Sequence, residues 1–204
     1  MLTVGGDAAG VETLLWSGAL SCPDCAGAVS PWGFARTRWL RGADGPVRLR
    51  PRRSRCSSCG ATHVLLPRVA LLRRADTAVV IGSALALKAA GWGHRQIAGR
   101  LGRAPSTVRG WLRRFASRAE TLRRGFTRLA VSVQADTPPM DPAGSGFADA
   151  VAAVGSAVAA MAGRWPVVLA MSAWEVAAAV TGGRLLAASG PVVLTNTSRL
   201  WAGS

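Results

Sequence analysis

The sequence predicts an α+β fold: a small N-terminal antiparallel unit over residues 1–70, a trihelical segment over 71–130, a linker over 131–146 and an Ala- and Trp-rich helical tail over 147–204. Three observations carry that prediction. All four cysteines stand in two Cys-x-x-Cys pairs, Cys22/Cys25 and Cys56/Cys59, with 30 strand-like and turn-like residues between the pairs. At Asp76 the apolar period lengthens from two to about 3.6. Beyond the proline-bearing stretch 131–146, apolar residues return at spacings of four and three in an Ala-rich background.

Residues 32–41 and 47–55 read as two strands joined by the turn Gly42-Ala-Asp-Gly45, and 61–66 as a third strand ended by Pro67. Pro51 has no N–H to give a ladder, so the second strand is expected at an edge or with a bulge. Gly60, directly after Cys59, suits a knuckle turn with positive φ that aims backbone amides at thiolates. Two thiols so spaced reach one ion from a tight turn, and two such turns complete a tetrahedral sulfur shell suited to Zn²⁺. The unit is therefore expected to be a zinc ribbon that holds one structural Zn²⁺ through Cys22, Cys25, Cys56 and Cys59. Four thiolates leave no open coordination position, so this metal is expected to stabilise the fold rather than catalyse. His63 could replace a thiol, but with four cysteines present it is expected to be a strand residue.

Other uses of the cysteines fit less well. A disulfide framework belongs to exported chains, and residues 1–10 show neither a basic n-region nor an apolar h-region, so a cytoplasmic location is expected. A redox dithiol uses one such pair within a βαβ pattern, whereas here two pairs flank strands.

Charge sharpens the functional expectation. The chain carries +15, and residues 31–128 hold 22 Lys or Arg against Asp44, Asp76 and Glu120, a local balance of +19. That block covers the ribbon and the helices after it, the footprint of a polyanion binder. All but one of the 25 basic residues are Arg, a side chain whose fork matches phosphate and guanine.

Asp76 or Thr77 is placed to cap a first helix that runs to Ala90, with Val80, Leu85 and Leu87 on its apolar face and Gly91 at its end. A second helix runs from about His94 to Leu101, residues 102–104 make a turn, and Pro105 suits the first position of a third helix. Val108, Trp111, Leu112 and Phe115 share one face of it, opposite Ser106, Arg109, Gly110 and Arg113. Leu122, Phe126 and Leu129 prolong the stripe through a continued or restarted helix.

In the tail, Phe147, Val151, Val154, Val158 and Met161 form one seam, and Pro166 can start a second helix that stops at Gly182-Gly183. Each Ala-rich segment is about 16 to 17 residues, short of the roughly 20 that a bilayer core requires, and each holds an acid, so no membrane partner is expected. The last twenty residues read as strand or coil.

The stretch from His94 to Arg113 has the parts of a helix-turn-helix. Ala98 is small where the helices cross, Gly102 makes the turn, and Ile97, Leu101, Val108 and Trp111 lock the pair. Ile-Ala-x-x-Leu-Gly followed by Ser-Thr-Val resembles the helix-turn-helix of bacterial transposases, resolvases and many regulators. The resemblance implies that the third helix enters the major groove of double-stranded DNA. Ser106, Arg109 and Arg113 would then contact bases, and Arg95, Arg103, Thr107 and Arg114 phosphates.

The order of ribbon, helix-turn-helix, Arg-rich helix and Ala-Trp-rich tail resembles bacterial zinc-ribbon/helix-turn-helix proteins linked to insertion-sequence transposases. That resemblance implies a transposition accessory factor or transcriptional regulator, with a transposase or a second copy of the chain as partner. A carboxylate-triad nuclease would need well over 100 residues of RNase H-like sheet, whereas residues 131–204 hold four scattered acids, so no enzymatic activity is expected. Neither histidine is expected to have the Ser or Cys partner that nucleophilic catalysis needs, and the sequence shows no phosphate-binding glycine loop. Two other readings stay open, an RNA- or ribosome-associated zinc-ribbon protein and a non-catalytic remnant of a transposase or recombinase.

Overall fold

The computed structural model of the chain describes residues 2–138 and 141–187. The expected strand or coil at the C-terminus falls almost wholly outside the described residues.

The N-terminal half holds strands β1 (Leu2–Val4), β2 (Val29–Phe34), β3 (Arg38–Arg41), β4 (Pro46–Leu49), β5 (Arg52–Cys56) and β6 (Thr62–Pro67), with helix α1 (Ala8–Trp16) between the first two. Four strands form a sheet in the order β1-β6-β5-β2, and β3 and β4 make a separate hairpin. Each long strand expected from sequence is broken in two. Residues 32–41 break at 35–37, and 47–55 breaks at Pro51, which offers no N–H but accepts from the Ala35 amide at 2.8 Å.

The unit is also not wholly antiparallel. β1 runs parallel to β6, with Leu2 opposite Leu65 and Val4 opposite Pro67. Asp7 caps α1 by accepting from the amides of Ala9 and Gly10 at 3.2 and 2.7 Å, and Val11 and Leu15 pack with Val4, Val29 and Leu65 over one end of the sheet. A second small core joins the hairpin to β6 through Leu40, Leu49, Leu66 and Ala70.

Helices α2 (Ala78–Ala89), α3 (His94–Leu101) and α4 (Pro105–Ala116) follow, close to their expected bounds. Thr77, not Asp76, caps α2, accepting from the Val80 amide at 3.4 Å. Gly102 ends α3 in the left-handed region at φ 60, and Pro105 opens α4 as expected. The Arg-rich helix restarts as α5 (Ala119–Val133), so it runs three residues into the expected linker.

The tail helix α6 (Gly146–Arg164) is capped by Ser145 and is 19 residues long, more than the expected 16 to 17. By length and composition alone it could cross a membrane. Here Ala150, Ala153, Val154, Ala157 and Met161 are buried in the same core as Phe126 and Leu129 of α5. Pro166 starts a 3₁₀ segment (Pro166–Ala170), and helix α7 (Ala173–Val180) begins only at a Ser172/Glu175 capping box. Gly182 and Gly183, both with positive φ, end it where expected.

α7 is seated by a close approach. A Cβ added at Gly82 of α2 would lie 1.8 Å from Trp174 Cγ, so the indole of α7 occupies the space a side chain would need. Gly82→Ala should therefore destabilise the protein by about 1–3 kcal/mol through overpacking. In a Trp174→Ala background the same change should cost much less, because nothing is left to clash. A thermal-unfolding double-mutant cycle measures this coupling, and purely additive losses would contradict it.

Candidate metal centre and nucleic-acid interface

The two Cys-x-x-Cys turns face one another across the β2–β5 pair. The Sγ atoms of Cys22 and Cys59 are 3.8 Å apart, those of Cys25 and Cys56 3.4 Å, and all four lie within 4.8 Å of one another. A tetrahedral Zn²⁺ with Zn–S bonds of about 2.3 Å separates its sulfurs by about 3.8 Å, so the donor set fits such an ion. Isolated thiols gain little from this crowding. No disulfide joins them.

The surrounding backbone favours thiolates at some positions. The Cys59 amide, helped by that of Ser58, holds the Cys56 thiol down to about 6. At Cys25 the Gly27 amide pulls the same way, but the neighbouring Cys56 and Cys59 thiols outweigh it and push the group up to about 12. A bound dication would remove that competition by stabilising every thiolate at once. Gly60 has φ 73, as its place in the second knuckle suggests. In the first knuckle, a Cβ at Gly27 would stand 2.4 Å from Ser58 Oγ and 3.2 Å from Cys56 Sγ, so a larger residue there would have to displace Ser58 of the second turn.

His63 lies on β6 and is also buried at the centre. Its Nε2 is 3.3 Å from Cys22 Sγ, a partner to the first thiol rather than a replacement for one. Desolvation lowers its pKa, which favours a neutral ring able to donate N–H to a thiolate. Sequence identifies His63 as a strand residue but not this contact, which depends on the β5–β6 pairing.

The second candidate surface is α4. Val108, Trp111, Leu112 and Phe115 are buried, which turns Ser106, Arg109 and Arg113 outward along one exposed face. Ile97 and Ala98 of α3 lie in the same core, so the crossing expected at Ala98 is formed. Arg95, Arg109 and Arg113 make no ion pair among the described residues, Thr107 is half-buried, and exposed Arg114 donates to the Gly110 carbonyl at 3.1 Å.

Arg103 has a different setting. Its Nε donates to Asp76 Oδ1 at 2.6 Å and its Nη2 to the Gly42 carbonyl at 3.0 Å, so the guanidinium expected at phosphate is held between the helix-turn-helix turn and the β3–β4 hairpin. Farther along, Glu120 binds Arg123 and Arg124 at 2.8 and 2.6 Å, and these contacts hold its carboxyl down to about 2. Two residues that sequence reading leaves out line a shallow groove beside α4. Lys88 from the end of α2 and His94 from the start of α3 face Arg109, Leu112 and Arg113 there, and Phe147 of α6 closes one side. Lys88 looks like a helix-end charge in sequence, and only the packing of α2 on α4 brings it to the groove.

No curated protein and no solved structure matches the chain. Residues 78–123, from the first residue of α2 into α5, match the family model of the homeodomain-like domain, which supports a DNA-binding function for this helix-turn-helix.

Proposed function

We propose that the protein binds double-stranded DNA in a sequence-specific way, with α4 in the major groove and one structural Zn²⁺ in the ribbon. The observation that carries this reading is the face of α4. Inside a homeodomain-like unit, it presents Ser106, Arg109 and Arg113 to solvent with no carboxylate engaged to the arginines among the described residues. Arg109 and Arg113 are suited to bidentate bonding with guanine, and Arg95, Thr107 and Arg114 to phosphate. Arg103 is assigned instead to the clamp with Asp76. The role is that of a non-enzymatic, cytoplasmic transposition accessory factor or transcriptional regulator, with a transposase or a second copy of the chain as partner.

The purified protein should contain one Zn²⁺ per chain, held by Cys22, Cys25, Cys56 and Cys59. Structural zinc contributes on the order of 10 to 16 kcal/mol in small peptides, so a chelator should unfold the ribbon while α2 to α6, which share their own core, retain helical signal. Metal analysis with circular dichroism before and after chelation tests both parts. A metal-free protein with an intact, exchange-protected ribbon would overturn the zinc assignment.

With Arg109 and Arg113 on bases, the exposed arginines at 95, 100 and 114 are left to neutralise about three phosphates, which gives a slope of log K against log salt near −2.7. Arg114→Ala should reduce that slope by about one on all duplexes alike. Arg109→Ala should cost about 1–3 kcal/mol at the preferred site and little elsewhere. Anisotropy titrations at several salt concentrations separate the two effects. Equal losses for Arg109→Ala on specific and random duplexes would mean that α4 does not read sequence, and a preference for structured RNA over every duplex tested would replace DNA as the target.

A further inference from the structure

The ribbon carries a second basic surface that the helix-turn-helix does not use. A cleft of about 730 Å³ opens where the β2–β3 connection passes over β6 and the start of the segment leading to α2. Its apolar lining comes from Ala35, Pro51, Val64, Leu66 and Leu72, and its charged lining from Arg36, Arg38 and Arg73. No carboxylate lines it. Arg36 and Arg73 are exposed, and Arg38 Nε is buried with no hydrogen-bond partner. Arg73 also has φ 57, a left-handed conformation that a non-glycine residue rarely adopts without tertiary restraint.

Along β2 and β5, flat rings meet guanidinium groups, and Phe34, Arg50 and Arg52 line a neighbouring pocket that shares Pro51 with this cleft and also holds Asp7 and Glu12. Phe34 immediately precedes Ala35 and has Arg50 and Arg52 over its ring at 4.3 and 4.5 Å, and Arg55 lies over Trp32 at 4.8 Å. Both rings are about half exposed, at 47% for Phe34 and 49% for Trp32. Arg52 is tied to Glu12, but Arg50 and Arg55 have no acidic partner among the described residues.

We propose that this cleft and the rings on β2 bind an unpaired nucleic-acid strand, with backbone phosphate on Arg36, Arg38 and Arg73 and bases on the apolar lining and stacked against the Arg–aromatic pairs at Phe34 and Trp32. Geometry favours a single strand. A duplex keeps its base faces stacked inside and has nothing to offer exposed rings or an apolar cleft of small-ligand size, whereas an unpaired strand supplies a flat face and an anion in every unit. An acidic peptide would satisfy the arginines but not the rings. The inference rests on the nucleic-acid reading above, yet it involves different residues from α4, so the two stand or fall separately.

The test uses the full chain and a labelled oligothymidylate, compared with a random duplex, an abasic strand carrying the same number of phosphates, inorganic phosphate and polyglutamate. The double variant Arg36→Ala/Arg73→Gly removes two exposed side chains, and glycine accepts the φ of position 73, so it should fold with an unchanged unfolding midpoint. It should lose at least about tenfold in oligothymidylate affinity and about 1.4 in salt slope, with less than about a twofold change on the duplex. Arg109→Ala/Arg113→Ala should show the reverse pattern. If the parent protein binds the single strand in this way but no duplex, the helix-turn-helix reading fails and the cleft proposal stands. Failure of the parent to bind oligothymidylate, equal binding by the double variant, equal affinity for the abasic strand, or equal competition by inorganic phosphate or polyglutamate would each overturn it.

Discussion

The carboxylate of Asp76 joins the two halves of this molecule. It is almost fully buried, and its two oxygens are taken by Arg41 of β3 and Arg103 of the helix-turn-helix turn, each at 2.6 Å. Burying a lone carboxylate costs several kcal/mol, so the site is stable only while both guanidinium groups reach it. Backbone bonds set the same geometry, because Arg41 donates to the Ala75 carbonyl at 2.8 Å and accepts from Thr77 at 3.2 Å. The β3–β4 hairpin is thereby fixed to the start of α2, and the third residue of the clamp sits two positions before Pro105. The start of α4 is thus tied to the ribbon that carries the cysteines.

A similar logic attaches the tail. Arg118, buried between α4 and α5, donates to the Arg184 carbonyl at 2.6 Å, and Arg74 donates to the Leu186 carbonyl at 3.2 Å. Burial lowers the pKa of both groups, a cost that the carbonyl contacts offset. Gly183 completes the attachment, since its carbonyl accepts from the Leu72 amide at 2.8 Å and a Cβ there would meet Leu66 at 2.6 Å. The Ala-rich helices therefore belong to the core that supports α4.

The parts that were legible in sequence are those specified by neighbouring residues. Cys-x-x-Cys spacing, Gly60, Gly102, Pro105 and the Gly182-Gly183 stop each act over a few positions, and each falls where local chemistry puts it. What sequence reading missed depends on partners far along the chain. β1 has three residues and no period of its own, and only pairing with β6, some sixty residues on, makes it a strand. Asp76 reads locally as a helix cap, yet the capping falls to Thr77 because two arginines, 35 positions before and 27 after, claim its carboxylate. His63 has the same history, since β-register alone brings it to Cys22.

Those long-range contacts also change what the +19 block means. Composition counts every arginine as available to a polyanion, but the fold assigns Arg41 and Arg103 to Asp76, Arg52 to Glu12, Arg74 and Arg118 to tail carbonyls, and Arg123 and Arg124 to Glu120. Of the block's described arginines that engage neither an acid nor a tail carbonyl, all but Arg128 of α5 fall into two groups, one on α3 and α4 and one along the ribbon strands and the cleft at Arg73. A charge held against a buried carboxylate releases no counterions on binding, so the electrostatic part of a nucleic-acid affinity would come from these unengaged arginines and not from the total. Because the Asp76 clamp holds the two groups on one frame, a strand engaged at the ribbon and a duplex engaged at α4 would be held at a fixed relative orientation.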